Sequence, residues 1–259
     1  MRMQIDVIMD YQLPQAEPVL LTLAAAQTKG QKIEESLLEV EGARLHWVEA
    51  EGMVGQRVWA FLTGDRFKLH YRARVAVTRP DVALHALPAT HFHDLPGPVL
   101  RYLRPSRFCQ SDLFTDFVAE AFGHLTGGAK IAAMRDWIAA KIAYVSGSSN
   151  PATTATDTFG AREGVCRDYA HLMCSLARAA NIPARYTSVY GAEVDPPDFH
   201  AVAQVWLDGG WHLVDATGMG TPARLAVIAS GRDAVDVAFM ENESGAQPIN
   251  QVIQVSDCD

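Results

Sequence analysis

Cysteine is scarce in this chain and none of it is paired by spacing. Four cysteines stand at positions 109, 166, 174 and 258 of 259 residues, with no Cys-x-x-Cys and no histidines at zinc-like intervals. Neither a disulfide framework nor a structural zinc site is expected, and reduced thiols in the cytoplasm are the default. Runs of lysine and arginine are also absent. With 22 basic against 30 acidic residues the formal charge is −8, so nucleic acid and anionic membrane surfaces are not expected partners. No apolar run approaches the roughly 20 residues that cross a bilayer: Val19–Ala26 and Ile131–Val145 are too short or too charged. The opening MRMQIDVIMDYQLPQAE is broken by an acid and polar residues before a secretory h-region could form, so export is not expected either. Internal repeats and low-complexity tracts are missing.

What remains is a chain with 49% apolar and 20% charged residues, able to bury a sizeable core and long enough for two compact units. The first 80 residues or so alternate with period two. Phe67, Leu69, Tyr71, Ala73, Val75 and Val77 form one face, and Lys68, His70, Arg72 and Arg74 the other. Turn signals at Gly30, Glu41-Gly42, Glu51-Gly52 and Thr63-Gly64-Asp65 recur at short intervals, the pattern of an antiparallel β-sandwich. Prolines 80, 88, 96, 98 and 105 mark a connector. Beyond it the period becomes helical: Phe114, Phe117, Val118 and Phe122, then Ile131, Met134, Trp137, Ile138 and Ile142, then Cys166, Tyr169, Ala170, Met173, Leu176, Ala177 and Ala180. Residues 146–158 between them read as a loop. Strands are expected at Ala184–Tyr190, His200–Leu207 and Trp211–Asp215. The fold class is therefore α+β, with a β-sandwich domain and connector over 1–100 and a second domain over 101–259.

Three residues carry chemistry. Cys166 opens a helix after Gly164-Val165, where unpaired backbone N–H groups and the macrodipole favour a thiolate and could also meet a developing oxyanion. A buried structural cysteine is the competing reading. If Asp208-Gly209 makes a two-residue type I′ turn, Leu207 pairs with Gly210 and Asp215 falls opposite Val202. Asp215 is then the diagonal same-face neighbour of His200 and can orient its imidazole. His171 points about 140° away from Cys166 on an ideal helix, His212 alternates to the face opposite Asp215, and Cys174 lies inside the helix. The two histidines are expected to be structural or solvent-facing, and Cys174 to belong to the core. His91 and His93 form a metal half-site with no second half, so no metal is expected.

The segments Gly164-Val165-Cys166-Arg167-Asp168-Tyr169-Ala170-His171-Leu172, Ile182-Pro183-Ala184-Arg185-Tyr186, His200-Ala201 and Trp211-His212-Leu213-Val214-Asp215-Ala216-Thr217 together resemble the bacterial transglutaminase-like superfamily. The resemblance covers about Leu113 to Gly218. It implies a papain-like core, with Cys166 as nucleophile, His200 as base and Asp215 as its orienting acid, often preceded by a β-rich domain. Ala216 stands where many relatives carry proline. The expected activity is hydrolysis of a peptide or amide bond through a thioester, with no cofactor. Acyl transfer to an amine and a non-catalytic peptide-binding module are the alternatives. Gln110 and Tyr144 are candidates for a second oxyanion donor.

Overall fold

The period-two half folds as strands, and its apolar face is what holds it. Residues 1–49 and 54–258 are described in this computed structural model; the Glu51-Gly52 turn lies outside the described residues. The chain opens with β1 (Arg2–Gln12), β2 (Pro18–Leu21), β3 (Gln31–Val40), β4 (Ala43–Glu49), β5 (Gln56–Leu62) and β6 (Arg66–Val77). Phe67, Leu69, Tyr71, Ala73, Val75 and Val77 are all buried, side by side with Met3, Ile5, Val7 and Met9 of the neighbouring strand on the same inward face of the sheet. The alternate residues point outward into the ion pairs Lys68–Glu41 at 3.4 Å, Arg72–Glu39 at 3.0 Å and Arg74–Glu35 at 3.1 Å, and His70 hydrogen-bonds Asp6 at 3.0 Å. Exposed pairs of this kind contribute about 0–1 kcal/mol each, so burial of the opposite face dominates. Val19, Leu21, Val58 and Ala60 supply the inward face of the second sheet.

After the connector, which contains the short α1 (Gly97–Leu100) and several 3-10 turns, come α2 (Thr115–Phe122), α3 (Gly127–Lys141), β7 (Ala143–Tyr144), α4 (Ala155–Ala161), β8 (Glu163–Gly164) and α5 (Cys166–Ala179). They are followed by β9 (Ala184–Gly191), β10 (His200–Leu207), β11 (Gly210–Val214) and β12 (Leu225–Gly231), which form an antiparallel sheet in the order β11-β10-β9-β12. Helix α4 corrects the loop expected over 146–158. Thr154 caps it by accepting from the Asp157 N–H, while the Asp157 carboxylate accepts from the Thr154 N–H at 2.9 Å, a reciprocal box that starts a helix despite the polar composition. Helix α5 is buried on nearly every side from Asp168 to Arg178 and packs on β9 and β10. Buried Arg178 pins its far end by donating to the carbonyls of Ala184 at 2.9 Å and Arg104 at 3.3 Å.

The last two strands, β13 (Met240–Glu241) and β14 (Gln247–Cys258), return to the sheets formed by β1–β6. β14 pairs along β1 from Arg2↔Cys258 to Gln12↔Gln247, giving sheets ordered β14-β1-β6-β3 and β13-β2-β5-β4. The span 101–259 therefore does not map onto a single sheet. β1 is central and needs a partner on each edge, and the C-terminal segment supplies the second one. The seam between the sandwich and the third sheet is hydrogen-bonded as well: buried Gln31 donates to the Val227 carbonyl at 2.9 Å and accepts from its N–H at 2.7 Å, while Tyr190 donates to the Leu23 carbonyl at 2.8 Å.

The connector presses on the start of α3 so closely that a Cβ at Gly128 would lie 1.7 Å from the Leu84 carbonyl oxygen, whereas one at Gly160 in α4 meets nothing within 4 Å. Gly128→Ala is expected to lose about 2–4 kcal/mol of unfolding free energy. Gly160→Ala should gain about 0.5–1 kcal/mol from helix propensity. Denaturant titration of the two variants checks the opposite signs.

Candidate active site

The residues before α5 shape its N-terminus. Val165 is extended at φ −118 and ψ −177, and its N–H donates to the Asp168 carboxylate at 2.9 Å, while the Ser149 hydroxyl donates to the other oxygen at 2.9 Å. Burial pushes the Asp168 carboxyl up, and those two bonds oppose the shift. Gly164 is required by crowding, since a Cβ there would come 2.8 Å from the Asp168 Cβ. Cys166 follows as a partly exposed thiol at the helix start. Cys109 and Cys174 are buried, and burial pushes the Cys174 thiol well up, so neither is a nucleophile open to a substrate. Cys258 is partly exposed but lies on β14.

Register brings the other two residues together. Asp208 and Gly209 both have positive φ, +48° and +68°, as a type I′ turn requires. Leu207 pairs with Gly210 and Ala203 with Val214, the register expected from the sequence. One step further, the His200 Nε2 lies 2.8 Å from the Asp215 Oδ2, with side chains only 1% and 3% exposed. Asp215 also accepts from the Thr217 N–H at 2.8 Å, the Thr217 hydroxyl at 2.7 Å and the Gly220 N–H at 2.9 Å. A carboxylate surrounded by donors stays ionised. Burial raises its pKa, but the His200 hydrogen bond and charge, helped by Thr217, carry it below the usual range. Nε2 is thereby the proton-bearing nitrogen toward Asp215, and Nδ1 is left for the thiol. Burial lowers the pKa of His200, yet hydrogen bonds to Asp215 and Cys166 and the charges of both push it up to about 9.

Of the two candidate oxyanion donors, the structure brings only Tyr144 to the thiol. Parallel pairing of β7 with β8 sets Tyr144 beside Gly164, and the Val145 N–H donates to the Gly164 carbonyl at 3.0 Å. The Tyr144 phenol is exposed, and Cys166 is the largest of the charged groups acting on it. Burial, the Cys166 charge and Asp198 push it up to about 12, so it remains a donor at neutral pH. Gln110 turns instead to the Arg107 carbonyl, donating at 3.2 Å.

The remaining histidines stay out of the site. His171 is buried between Phe108 and Tyr186, accepts from the Ala234 N–H at 3.2 Å, and is held well below its usual pKa by burial and by Arg167 and Arg178. His212 lies 3.1 Å from the Leu207 carbonyl. His91 and His93 stack at 5.6 Å, and among the described residues no three His, Cys, Asp or Glu side chains gather as a metal site would need. Sequence reasoning missed Thr217, Gly220, Ser149 and Asp168 as supports. The Asp-x-Thr run at 215–217 and the acid three residues after Val165 were the available signals.

The family model of the transglutaminase-like superfamily matches residues 116–216, from α2 through Asp215. A crystal structure from Cytophaga hutchinsonii, described provisionally as a cysteine protease, aligns with 100% of this chain and 92% of its own at TM-score 0.91 and 32% identity. The chain belongs to the transglutaminase-like superfamily. Uncharacterised relatives occur in Mycobacterium leprae, 28% identical over 148 residues and 52% of each chain, and in Mycobacterium tuberculosis, 34% identical over 128 residues, 44% of this chain and 41% of the relative. The chain spans about half the length of these curated relatives or less. The match to the superfamily ends just past Asp215, so the β14–β1 pairing lies outside it.

Removing the charge at Asp215 leaves the burial penalty on His200 and takes away its largest compensation. Asp215→Asn is expected to bring the His200 titration down from about 9, read by NMR of the ring protons. An unmoved titration would contradict the coupling of the two side chains.

Proposed function

We propose that this chain is a cysteine-dependent amidohydrolase that cleaves a peptide or amide bond through a thioester. The observation that carries the reading is the buried His200–Asp215 pair at 2.8 Å, with the partly exposed Cys166 at the start of α5 among the groups that raise the His200 pKa. In the first half-reaction the Cys166 sulfur attacks the carbonyl carbon, and the negative oxygen is met by the Cys166 N–H at the α5 start and the Tyr144 O–H. The tetrahedral species collapses as His200 gives its Nδ1 proton to the departing amine, leaving the acyl thioester. In the second half His200 takes a proton from water, hydroxide adds to the thioester, and the acid leaves as the thiol is restored. Asp215 keeps the ring oriented and stabilises its charge throughout without accepting the proton. An amine could resolve the thioester in place of water. Hydrolysis is preferred because the full-length relative at 32% identity is described provisionally as a protease. A cytoplasmic location is part of the same proposal.

The test is turnover of peptide amides, with hydrolysis and amine incorporation followed in parallel. Cys166→Ala should abolish both, and full activity without Cys166 would refute the mechanism. The sign of the pH dependence follows from His200. Its folded pKa, about 9, lies above the ordinary 6.5, so the proton needed by the leaving amine is present below that value and lost above it. Amide kcat/KM should fall as pH rises through about 9, while alkylation of Cys166 by iodoacetamide, which needs only the thiolate, should not fall.

Tyr144 separates the two chemistries further. Tyr144→Phe should cut kcat by about 10²–10³ with little change in KM. Iodoacetamide alkylation, a displacement that develops no oxyanion, should be nearly unaffected. Parallel loss of alkylation and turnover would assign the phenol to the thiol instead.

A further inference from the structure

Two buried arginines flank the same turn of chain and differ in what they bind. Arg178 gives away all three guanidinium nitrogens, to the carbonyls of Ala184, Arg104 and Arg232 and to the Ser106 hydroxyl. Arg185 on β9 is only 8% exposed, yet of its nitrogens Nε alone is engaged, donating to the Gln204 Oε1 at 2.7 Å. That oxygen also accepts from the Thr187 and Ser230 hydroxyls at 3.3 and 3.2 Å. Its capacity is used up. Among the described residues neither Nη of Arg185 nor the Nε2 of Gln204 donates a hydrogen bond, and none of these atoms is sealed from solvent. The ion pairs made by arginine involve other arginines, so among the described residues no carboxylate lies within ion-pair distance of Arg185.

Strand register gathers further donors around this cation. Arg185 pairs with Gln204 and Trp206 with Trp211, so the four side chains share one face of the sheet. The guanidinium carbon lies 4.2 Å from the centroid of Trp211 and 6.0 Å from that of Tyr102, and those two rings meet edge to face at 5.3 Å. Trp206 packs edge to face on Trp211 at 5.3 Å, and its indole N–H is buried with no acceptor. Such an orphan is costly and asks for a partner. Burial holds the guanidinium down at about 10, opposed only by the Tyr102 phenol, as befits a cation without a counter-charge. The cluster stands apart from the catalytic residues. Gln204 is four residues along β10 from His200, about 13 Å, with buried Val202 between them.

We propose that Arg185, Gln204 and Trp206 form a binding site for the carboxylate of a small organic acid, separate from the centre at Cys166. With Nε committed to Gln204, the two Nη groups present parallel N–H bonds that match the two coplanar oxygens of a carboxylate. The Gln204 amide and the Trp206 indole add neutral donors, and the site offers no acceptor that would repel an anion. A single positive charge suits a monoanion. Tyr102 and Trp211 supply an apolar wall for the carbon skeleton of the acid. Arg185 and Gln204 are only 8% and 6% exposed, so the opening is narrow and fits a small molecule. The proposal does not depend on the amide-cleaving reading.

The test uses the full chain, with the indole N–H of Trp206 as reporter. The chain has five tryptophans, and Trp206→Phe identifies the resonance in proton–nitrogen correlation spectra. Acetate and benzoate are titrated at constant ionic strength beside benzamide, the uncharged analogue of benzoate, and inorganic phosphate. Both carboxylates should move the Trp206 signal downfield and saturably, and benzamide should not. Arg185→Gln should weaken benzoate binding about tenfold or more, and Arg185→Lys, which keeps the charge but loses the paired donors, by less. Trp206→Phe keeps a ring and removes the N–H. It should weaken binding about three- to tenfold, read from the rise in thermal midpoint with benzoate, so the site is tested even where an Arg185 variant fails to fold. Cys166→Ala should bind benzoate as the unaltered chain does. Absence of saturable movement, equal movement with benzamide, or tighter binding of phosphate than of benzoate overturns the proposal. Loss of binding in Cys166→Ala also overturns it, by placing the carboxylate at the catalytic centre.

Discussion

The hydrogen bond between His200 and Asp215 is the constraint on which the site depends. It joins two strands of one hairpin, so its length of 2.8 Å is set by the β10–β11 register and ultimately by the positive φ of Asp208 and Gly209. A slip of one residue would turn Asp215 to the other face of the strand. Burial of the pair has two consequences that oppose each other. It penalises both charges, and it strengthens the attraction between them and toward the thiol. The balance is tipped by Thr217 and Gly220, whose donors satisfy the rest of the carboxylate. Without them Asp215 would be a partly unsatisfied buried charge, a poor anchor for an imidazolium.

The proposed nucleophile, Cys166, is positioned separately from the hairpin. Helix α5 is gripped at its far end by Arg178 and along its length by β9 and β10, and its first residue emerges at the surface next to the hairpin. The helix start is crowded by the Gly164–Asp168 approach, and the parallel β7–β8 pairing lays Tyr144 across it. The His200–Asp215 pair and the far end of α5 are held by buried, long-range contacts, whereas Tyr144 on β7 is exposed. Such a site is preorganised, which is what electrostatic stabilisation of a transition state requires. The β-sandwich is tied to the segment before His200 by hydrogen bonds from Tyr11 to Gln251 and from Gln251 to Asp198, and β14 pairs with β1 to join distant parts of the chain in one sheet.

Local chemistry was readable from the sequence, and distant pairing was not. The β10–β11 register followed from a two-residue Asp-Gly turn, and the start of α5 followed from Gly164 and the apolar stripe, because both signals lie within a few residues of what they determine. The buried face of β6 was legible for the same reason. Helix α4 was hidden by its Ser, Thr and Asn content, although Thr154 and Asp157 make a capping box. The pairing of β14 with β1 joins residues from opposite ends of the chain, and no local pattern specifies which edge a strand will take. Choosing Tyr144 over Gln110 likewise depended on the β7–β8 pairing, in which each strand is only two residues long.

The central claim is that Cys166, oriented by His200 and Asp215, forms an acyl thioester. The most direct measurement is mass spectrometry of the enzyme quenched in acid during reaction with an activated ester such as a p-nitrophenyl acyl ester. The account predicts one acyl group on the Cys166 peptide, released by hydroxylamine and absent in Cys166→Ala. An adduct confined to Cys258 or another residue, or turnover with no adduct and no dependence on Cys166, would contradict it.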